Sequence, residues 1–268
     1  MATVARRRTS HRPSAPRASS GALSKAVKRH DSAEDLLMKA MDARSPAARA
    51  RFAEKGLASR APLDKTIHAL LLRQLSIAHY EGRRFDRAHE VALQALELGV
   101  LIDVLQQDAA RAAIGAGDVD AAVAHFRVAA RRAPASRRAF HLWTLGGLLF
   151  LTKRYSEAAA ALTRAVRWGT RDKPLFRAHL ALVRLAMGEK VDDLQETIDD
   201  LAAAPCGRGY GRFVLGHLAY AAGEWDTARL LLTGFVERST TVRVPELSMT
   251  LAGELRMSRA TLAKMESN

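Results

Sequence analysis

From residue 31 onward, apolar side chains recur three and four positions apart along the chain. This spacing places them on one face of a helix, whereas a half-buried strand would need apolar and polar residues to alternate strictly. Ala and Leu, both strong helix formers, supply most of these apolar residues. The pattern therefore predicts an all-α fold.

Short turns interrupt the helical pattern at a regular interval. Each turn leads to an aromatic or β-branched residue and, three residues later, usually to a small one. The last residues of the five turn segments lie 34, 36, 36 and 34 positions apart. A period of this length is typical of proteins built from two-helix repeats. The five segments end at Ala88, Ala122, Ala158, Leu194 and Ala228.

At these positions the chain resembles tetratricopeptide repeat (TPR) proteins. The resemblance covers roughly residues 69–240 and implies a right-handed α-solenoid of about five helix-turn-helix repeats plus capping helices. In that family, small residues at two positions of each repeat let the paired helices approach closely. The fourth period departs from the pattern at Leu182 and Leu194. The matching residues are Ala122, Phe126, Ala129 and Pro134 in the second period, Leu142, Leu145, Gly146, Leu149, Tyr155 and Ala158 in the third, and Leu215, Gly216, Trp225 and Ala228 in the fifth.

Charge separates the first thirty residues from the rest. The chain has 42 Lys and Arg against 28 Asp and Glu, a formal charge of +14, and residues 1–30 hold eight basic residues and no acidic one. That segment is also rich in Ser, Ala and Pro and poor in large apolar side chains. It therefore buries too little apolar surface to offset the conformational entropy that a chain loses on folding. We expect a disordered basic tail at 1–30, with a mitochondrial transit peptide as the alternative. The remaining parts are an N-terminal capping helix pair at 31–66, the solenoid at 67–240 and C-terminal capping helices at 241–268.

The resemblance also implies a concave surface, lined by the first helix of each repeat, that receives an extended or helical peptide. Eight of the chain's 15 aromatic residues fall on it, which favours an apolar or aromatic partner segment. Arg73 and Arg111 are expected to engage acidic residues of that partner. The alternative is that the rings pack between repeats. The predicted lining is Arg73, Ile77, Tyr80, Gln107, Arg111, Ile114, Phe140, Trp143, Phe150, Phe176, His179, Val183, Tyr210, Phe213, His217 and Tyr220.

Signals for catalysis are poor. Nine His occur, but no two lie three or four residues apart, so no single helix face offers a His pair for a metal ion. The acidic cluster at 192–200 is typical of a solvated helix face, and the glycine-rich segment at 205–211 around Cys206 is typical of a turn. We predict no catalysis, no cofactor and no metal. The lone Cys suits a reducing compartment, and no 18-residue apolar run exists, so we expect a cytoplasmic protein without a membrane span.

The C-terminal residues 251–264 allow two interpretations. They continue the repeat period, which predicts a capping helix pair. They also resemble a bacterial helix-turn-helix, in which Ser258 would cap a recognition helix carrying Arg259, Thr261 and Lys264. Together with the basic tail, the second interpretation would make the chain a nucleic-acid-associated transcriptional regulator. The first interpretation favours a non-catalytic scaffold that binds another protein.

Overall fold

In a computed structural model of the chain, residues 31–241 and 245–267 are described; the predicted tail at 1–30 lies outside them. The described residues form fourteen α-helices and one 3₁₀ turn at Pro205–Gly207, with no strand. The helices are α1 Ala33–Met41, α2 Pro46–Leu57, α3 Lys65–Glu81, α4 Phe85–Glu97, α5 Ile102–Ala116, α6 Val119–Arg132, α7 Ala135–Leu151, α8 Tyr155–Trp168, α9 Lys173–Ala186, α10 Leu194–Ala203, α11 Gly211–Ala221, α12 Trp225–Ser239, α13 Pro245–Thr250 and α14 Ala252–Glu266.

Helices that follow one another in the chain pack in neighbouring pairs, which confirms the predicted all-α class. The pair α1 and α2 falls in the segment predicted to cap the N-terminus, and α3 to α12 form the five pairs that the turn spacing predicts. After α12, helix α14 packs back against α11 and α12.

Each of the five turns between paired helices places one residue in the left-handed backbone region. These residues are Arg83, Gly117, Lys153, Gly188 and Gly223, with φ between 56° and 87°. The next residue in every turn then donates its N–H to the carbonyl five residues earlier, at 2.8–3.0 Å, the bond that defines a Schellman helix end. The turn period of the sequence is therefore also a period of the backbone geometry.

Two glycines allow the paired helices to come close. A Cβ atom added to Gly146 of α7 would lie 2.6 Å from Leu162 of α8, and one added to Gly216 of α11 would lie 2.7 Å from Leu232 of α12. Any larger side chain at these positions would push the second helix away from the first. In the fourth pair Leu182 is buried, and seven residues, 187–193, separate α9 from α10.

Charged side chains connect the first helices of successive pairs, and the residues they join lie about one repeat period apart in the chain. Arg73 of α3 donates from Nε to Asp108 of α5 at 2.6 Å. Arg137 of α7 donates to both carboxylate oxygens of Asp103 on α5, at 2.7 and 3.0 Å. Both carboxylates are buried, so these charged pairs are shielded from water more than surface ion pairs are.

Candidate functional site

A cavity of about 770 Å³ lies between the first helices of the early pairs and the C-terminal segment. Helices α3, α5 and α7 contribute one side, together with the turns that follow them. Residues 248–254 and Arg256 contribute the other side. A cavity of this size accepts several side chains of a partner. The side chains of α3 to α7 that line it include Tyr80, Phe85, Gln107, Arg111, Ile114, Phe126, Phe140, Trp143, Leu148 and Leu151.

Part of the predicted lining meets at this cavity. Ile114 and Phe140 are each 40% exposed, which is high for such large apolar side chains. Trp143 is half-buried beside Phe140, with ring centroids 5.9 Å apart. These side chains are available for contact with a partner. The predicted residues found in the cavity lining are Tyr80, Gln107, Arg111, Ile114, Phe140, Trp143 and Tyr210.

Other predicted lining residues lie in the core instead. Their side chains are between 0% and 4% exposed, so the prediction that they contact a partner on this surface is wrong. The cause is that each first helix packs against its own partner helix and against helices of the adjacent pairs, which leaves only a narrow strip of it accessible. The alternative from the sequence, rings packed between repeats, describes these residues. They are Phe150, Phe176, His179, Val183, Phe213 and His217.

Three predicted residues are accessible in part but lie outside the cavity lining. Arg73 is bound to the buried carboxylate of Asp108, which satisfies the charge expected to engage a partner. Ile77 is half-buried on α3. Tyr220 is half-buried against α14, near Leu262.

Trp143 connects the cavity to the buried rings. Its indole Nε1–H donates to Nδ1 of His179 at 3.1 Å, and its ring meets that of Tyr210 edge-on, with centroids 4.9 Å apart. Burial lowers the pKa of His179 to about 3 and that of His217 to about 4. Both imidazoles are therefore neutral at pH 7.

The C-terminal wall is held by specific contacts that sequence reasoning missed. Tyr210 donates its hydroxyl proton to Glu254 Oε1 at 3.2 Å. A Cβ atom added to Gly253 would lie 2.9 Å from Leu151, so α14 begins directly against the end of α7. Burial raises the pKa of both Glu254 and Tyr210, because the charged form of each loses its hydration. The repeat period that residues 251–264 continue gave no sign of this contact.

The charges around the cavity are mostly positive. Arg83, Arg111 and Arg256 line it, and Glu254 is the one acidic residue among its described lining. Arg111 makes only a long contact, 3.7 Å, with Asp108, which already binds Arg73. A guanidinium group without a close carboxylate partner is available to bind a carboxylate of another molecule.

The predicted helix-turn-helix is not formed. Helix α14 runs without a break from Ala252 to Glu266, so the turn that a helix-turn-helix needs before Ser258 does not occur and Ser258 caps no helix. Residues 254–266 contain no Gly or Pro to end a helix, which explains the continuity. Ser258 and Thr261 are buried, whereas Arg259 and Lys264 are exposed.

The acidic cluster surrounds a cation of the protein itself. Arg177 of α9 donates to Asp200 at 2.9 Å and to Asp193 at 3.2 Å, and it lies 4.0 Å from Glu196. Across the described ranges, no group of three or more His, Cys, Asp or Glu side chains is arranged to hold a metal ion. In the same ranges, every helix is too short or too polar to cross a bilayer.

No protein-family model matches the chain, and no curated protein matches it either.

Proposed function

We propose that the chain is a TPR-type right-handed α-solenoid that acts as a non-catalytic protein-interaction module. The cavity between α3, α5, α7 and the C-terminal segment carries this proposal, because large apolar side chains remain exposed there beside the first helices. The recurrence of the left-handed turn residues and of the polar links between first helices supports the repeat architecture.

In this proposal a peptide or helix of a partner protein places an apolar or aromatic side chain in the cavity. Phe140 and Trp143 serve as the anchors, since partly buried rings offer large contact area with few rotatable bonds. Arg111 and Arg83 attract acidic residues that flank the inserted side chain. The interaction involves no bond making or breaking.

The test compares the partners retained by matched variants. Ile114→Glu with Phe140→Glu places two carboxylates in the cavity, and Leu230→Glu on α12 makes the same change at a site that is 75% exposed and outside the cavity. In affinity purification with mass spectrometry, after nuclease treatment, a partner retained by the natural chain and by Leu230→Glu should be lost with the double variant. Circular dichroism should show equal helix content in all three.

Two outcomes would reject the proposal. One is retention of the same partners by the double variant, which would place their binding elsewhere. The other is loss of every retained partner on nuclease treatment, which would favour a nucleic-acid-associated role. Arg111→Glu alone tests the charge: an acidic partner should bind more weakly, and the loss should shrink as salt is raised.

A further inference from the structure

Two histidines that are 36 residues apart meet between the second helices of successive pairs. His89 lies on α4 and His125 on α6, and their Nε2 atoms are 2.9 Å apart. Their ring planes are nearly perpendicular, at 80°, with centroids separated by 5.1 Å. Both side chains are half-buried, so part of each remains accessible to solvent. This pair does not belong to the cavity lining.

A third side chain orients one of these rings. Gln106 of α5 has its amide oxygen 2.6 Å from Nδ1 of His125. An amide oxygen only accepts, so Nδ1 of His125 donates its proton to it. In the neutral ring this leaves Nε2 of His125, which lies 2.9 Å from Nε2 of His89, without a proton. Ligating histidines in proteins are commonly fixed in this way, with the other ring nitrogen donating to an oxygen.

We propose that His89 and His125 bind a divalent transition-metal ion, of the Ni²⁺, Cu²⁺ and Zn²⁺ class, between α4 and α6. With metal–nitrogen bonds of about 2.0–2.1 Å, the 2.9 Å separation of the nitrogens corresponds to an angle of about 90° at the metal. That is the angle between adjacent ligands in the tetragonal geometries of Cu²⁺ and Ni²⁺. Water completes the coordination, so the site is open rather than a closed structural centre.

The consequence of binding is a cross-link between two repeats. The metal joins α4 to α6 through their side chains, and no such bond exists in an unfolded chain. Binding to the folded state alone raises the free energy of unfolding by RT ln(1 + [metal]/Kd), or about 2.7 kcal/mol at a concentration one hundred times the Kd. The melting temperature should therefore rise with metal concentration.

The experiment uses the untagged full-length chain, because a polyhistidine tag would itself bind the metal. Isothermal titration with Ni²⁺ and, separately, Cu²⁺ should show one strong site per chain. His89→Ala and His125→Ala should each weaken binding at least tenfold and abolish the metal-dependent rise in melting temperature. His68→Ala, on α3, is the matched control and should change neither.

Three results would overturn the proposal. The first is no binding of either metal, which would make the contact a hydrogen bond only. The second is equal affinity in His89→Ala and the natural chain. The third is a rise in melting temperature that survives both histidine substitutions. If His125→Ala does not fold, His89→Ala alone decides, since it leaves the bond between His125 and Gln106 in place.

Gln106 is tested as a positioning residue. Gln106→Leu removes the oxygen that orients His125 and should weaken metal binding by about 10- to 100-fold, the usual effect of losing such a partner. Gln106→Glu keeps an acceptor at the same place and should restore the affinity. If both variants bind the metal as tightly as the natural chain does, Gln106 has no part in the site.

Discussion

The indole N–H of Trp143 and Nδ1 of His179 form a 3.1 Å hydrogen bond between α7 and α9. Because Nδ1 accepts this bond, the neutral imidazole carries its proton on Nε2, which is buried and has no partner among the described atoms. Trp143 therefore has two roles: its ring lines the cavity, and its nitrogen fixes the tautomer of a fully buried histidine.

Trp143→Phe should lower the free energy of unfolding by about 1–3 kcal/mol, because it leaves a second ring nitrogen of His179 buried without a partner. Urea denaturation monitored by circular dichroism measures the change. Trp168→Phe is the control, since Trp168 is 43% exposed and its substitution should cost less than about 0.5 kcal/mol. Equal effects of the two substitutions would show that the hydrogen bond does not stabilise the fold.

Stability should fall as the pH is lowered from 7 towards 4. In the unfolded chain the rings of His179 and His217 take up a proton near pH 6.5, whereas the folded state, in which the pKa values are about 3 and 4, resists protonation. The unfolded chain therefore binds more protons throughout this window, which costs about 2 kcal/mol per ring at pH 5. Denaturant titrations at pH 7 and pH 5 measure the difference.

The variant His217→Asn separates this effect from the titration of carboxylates. It should reduce the loss of stability between pH 7 and pH 5 by about 2 kcal/mol, whatever its effect on stability at pH 7. An unchanged loss would contradict the assignment of the pH dependence to this ring.

Adjacent glycines on α7 should respond in opposite directions to the same substitution. Gly146→Ala places a methyl group 2.6 Å from Leu162 and should cost about 1–3 kcal/mol. Gly147→Ala meets its nearest neighbour, a carbon of His179, at an ordinary 3.5 Å and should stabilise α7 by about 0.5–1 kcal/mol. Thermal denaturation of both variants tests the close approach of α7 and α8. Destabilisation by Gly147→Ala, or a neutral Gly146→Ala, would contradict it.

The left-handed turn residues should also differ by type. Gly223→Ala should lower the free energy of unfolding by about 1 kcal/mol, because φ is +81° there and a Cβ atom disfavours that conformation. Lys153→Gly, at φ +60°, should raise it by a smaller amount, since the greater freedom of glycine in the unfolded chain offsets part of the relief. If Gly223→Ala instead raised the free energy of unfolding and Lys153→Gly lowered it, the turns would have relaxed into another conformation.

The sequence predicted the positions of the turns between paired helices better than it predicted which faces of the helices are accessible. The turn spacing depends on local features, such as Gly223 before Trp225, that act within a few residues. The accessible face depends on how far neighbouring pairs are rotated against each other, which no local pattern records. Phe140 and Phe150 lie on the same helix and are equally apolar, yet one is 40% exposed and the other 4%.

The histidine pair was missed for a related reason. Ligand pairs on one helix lie three or four residues apart, and His89 and His125 fail that test. Their separation of 36 residues is two more than the 34 residues between Ala88 and Ala122, so nearly equivalent positions of successive repeats face each other. A search for metal-binding residue types at separations within two residues of the repeat period would have found the pair from the sequence.

Because the start of α14 rests on Leu151 and Tyr210, boundaries for fragment work cannot be chosen from the repeat pattern alone. A fragment that stops after α12 would retain every first helix of the five pairs and yet lack one wall of the cavity. A screen for ligands run on such a fragment would test a surface that is open on one side. Compounds selected there would meet a differently shaped surface in the intact chain.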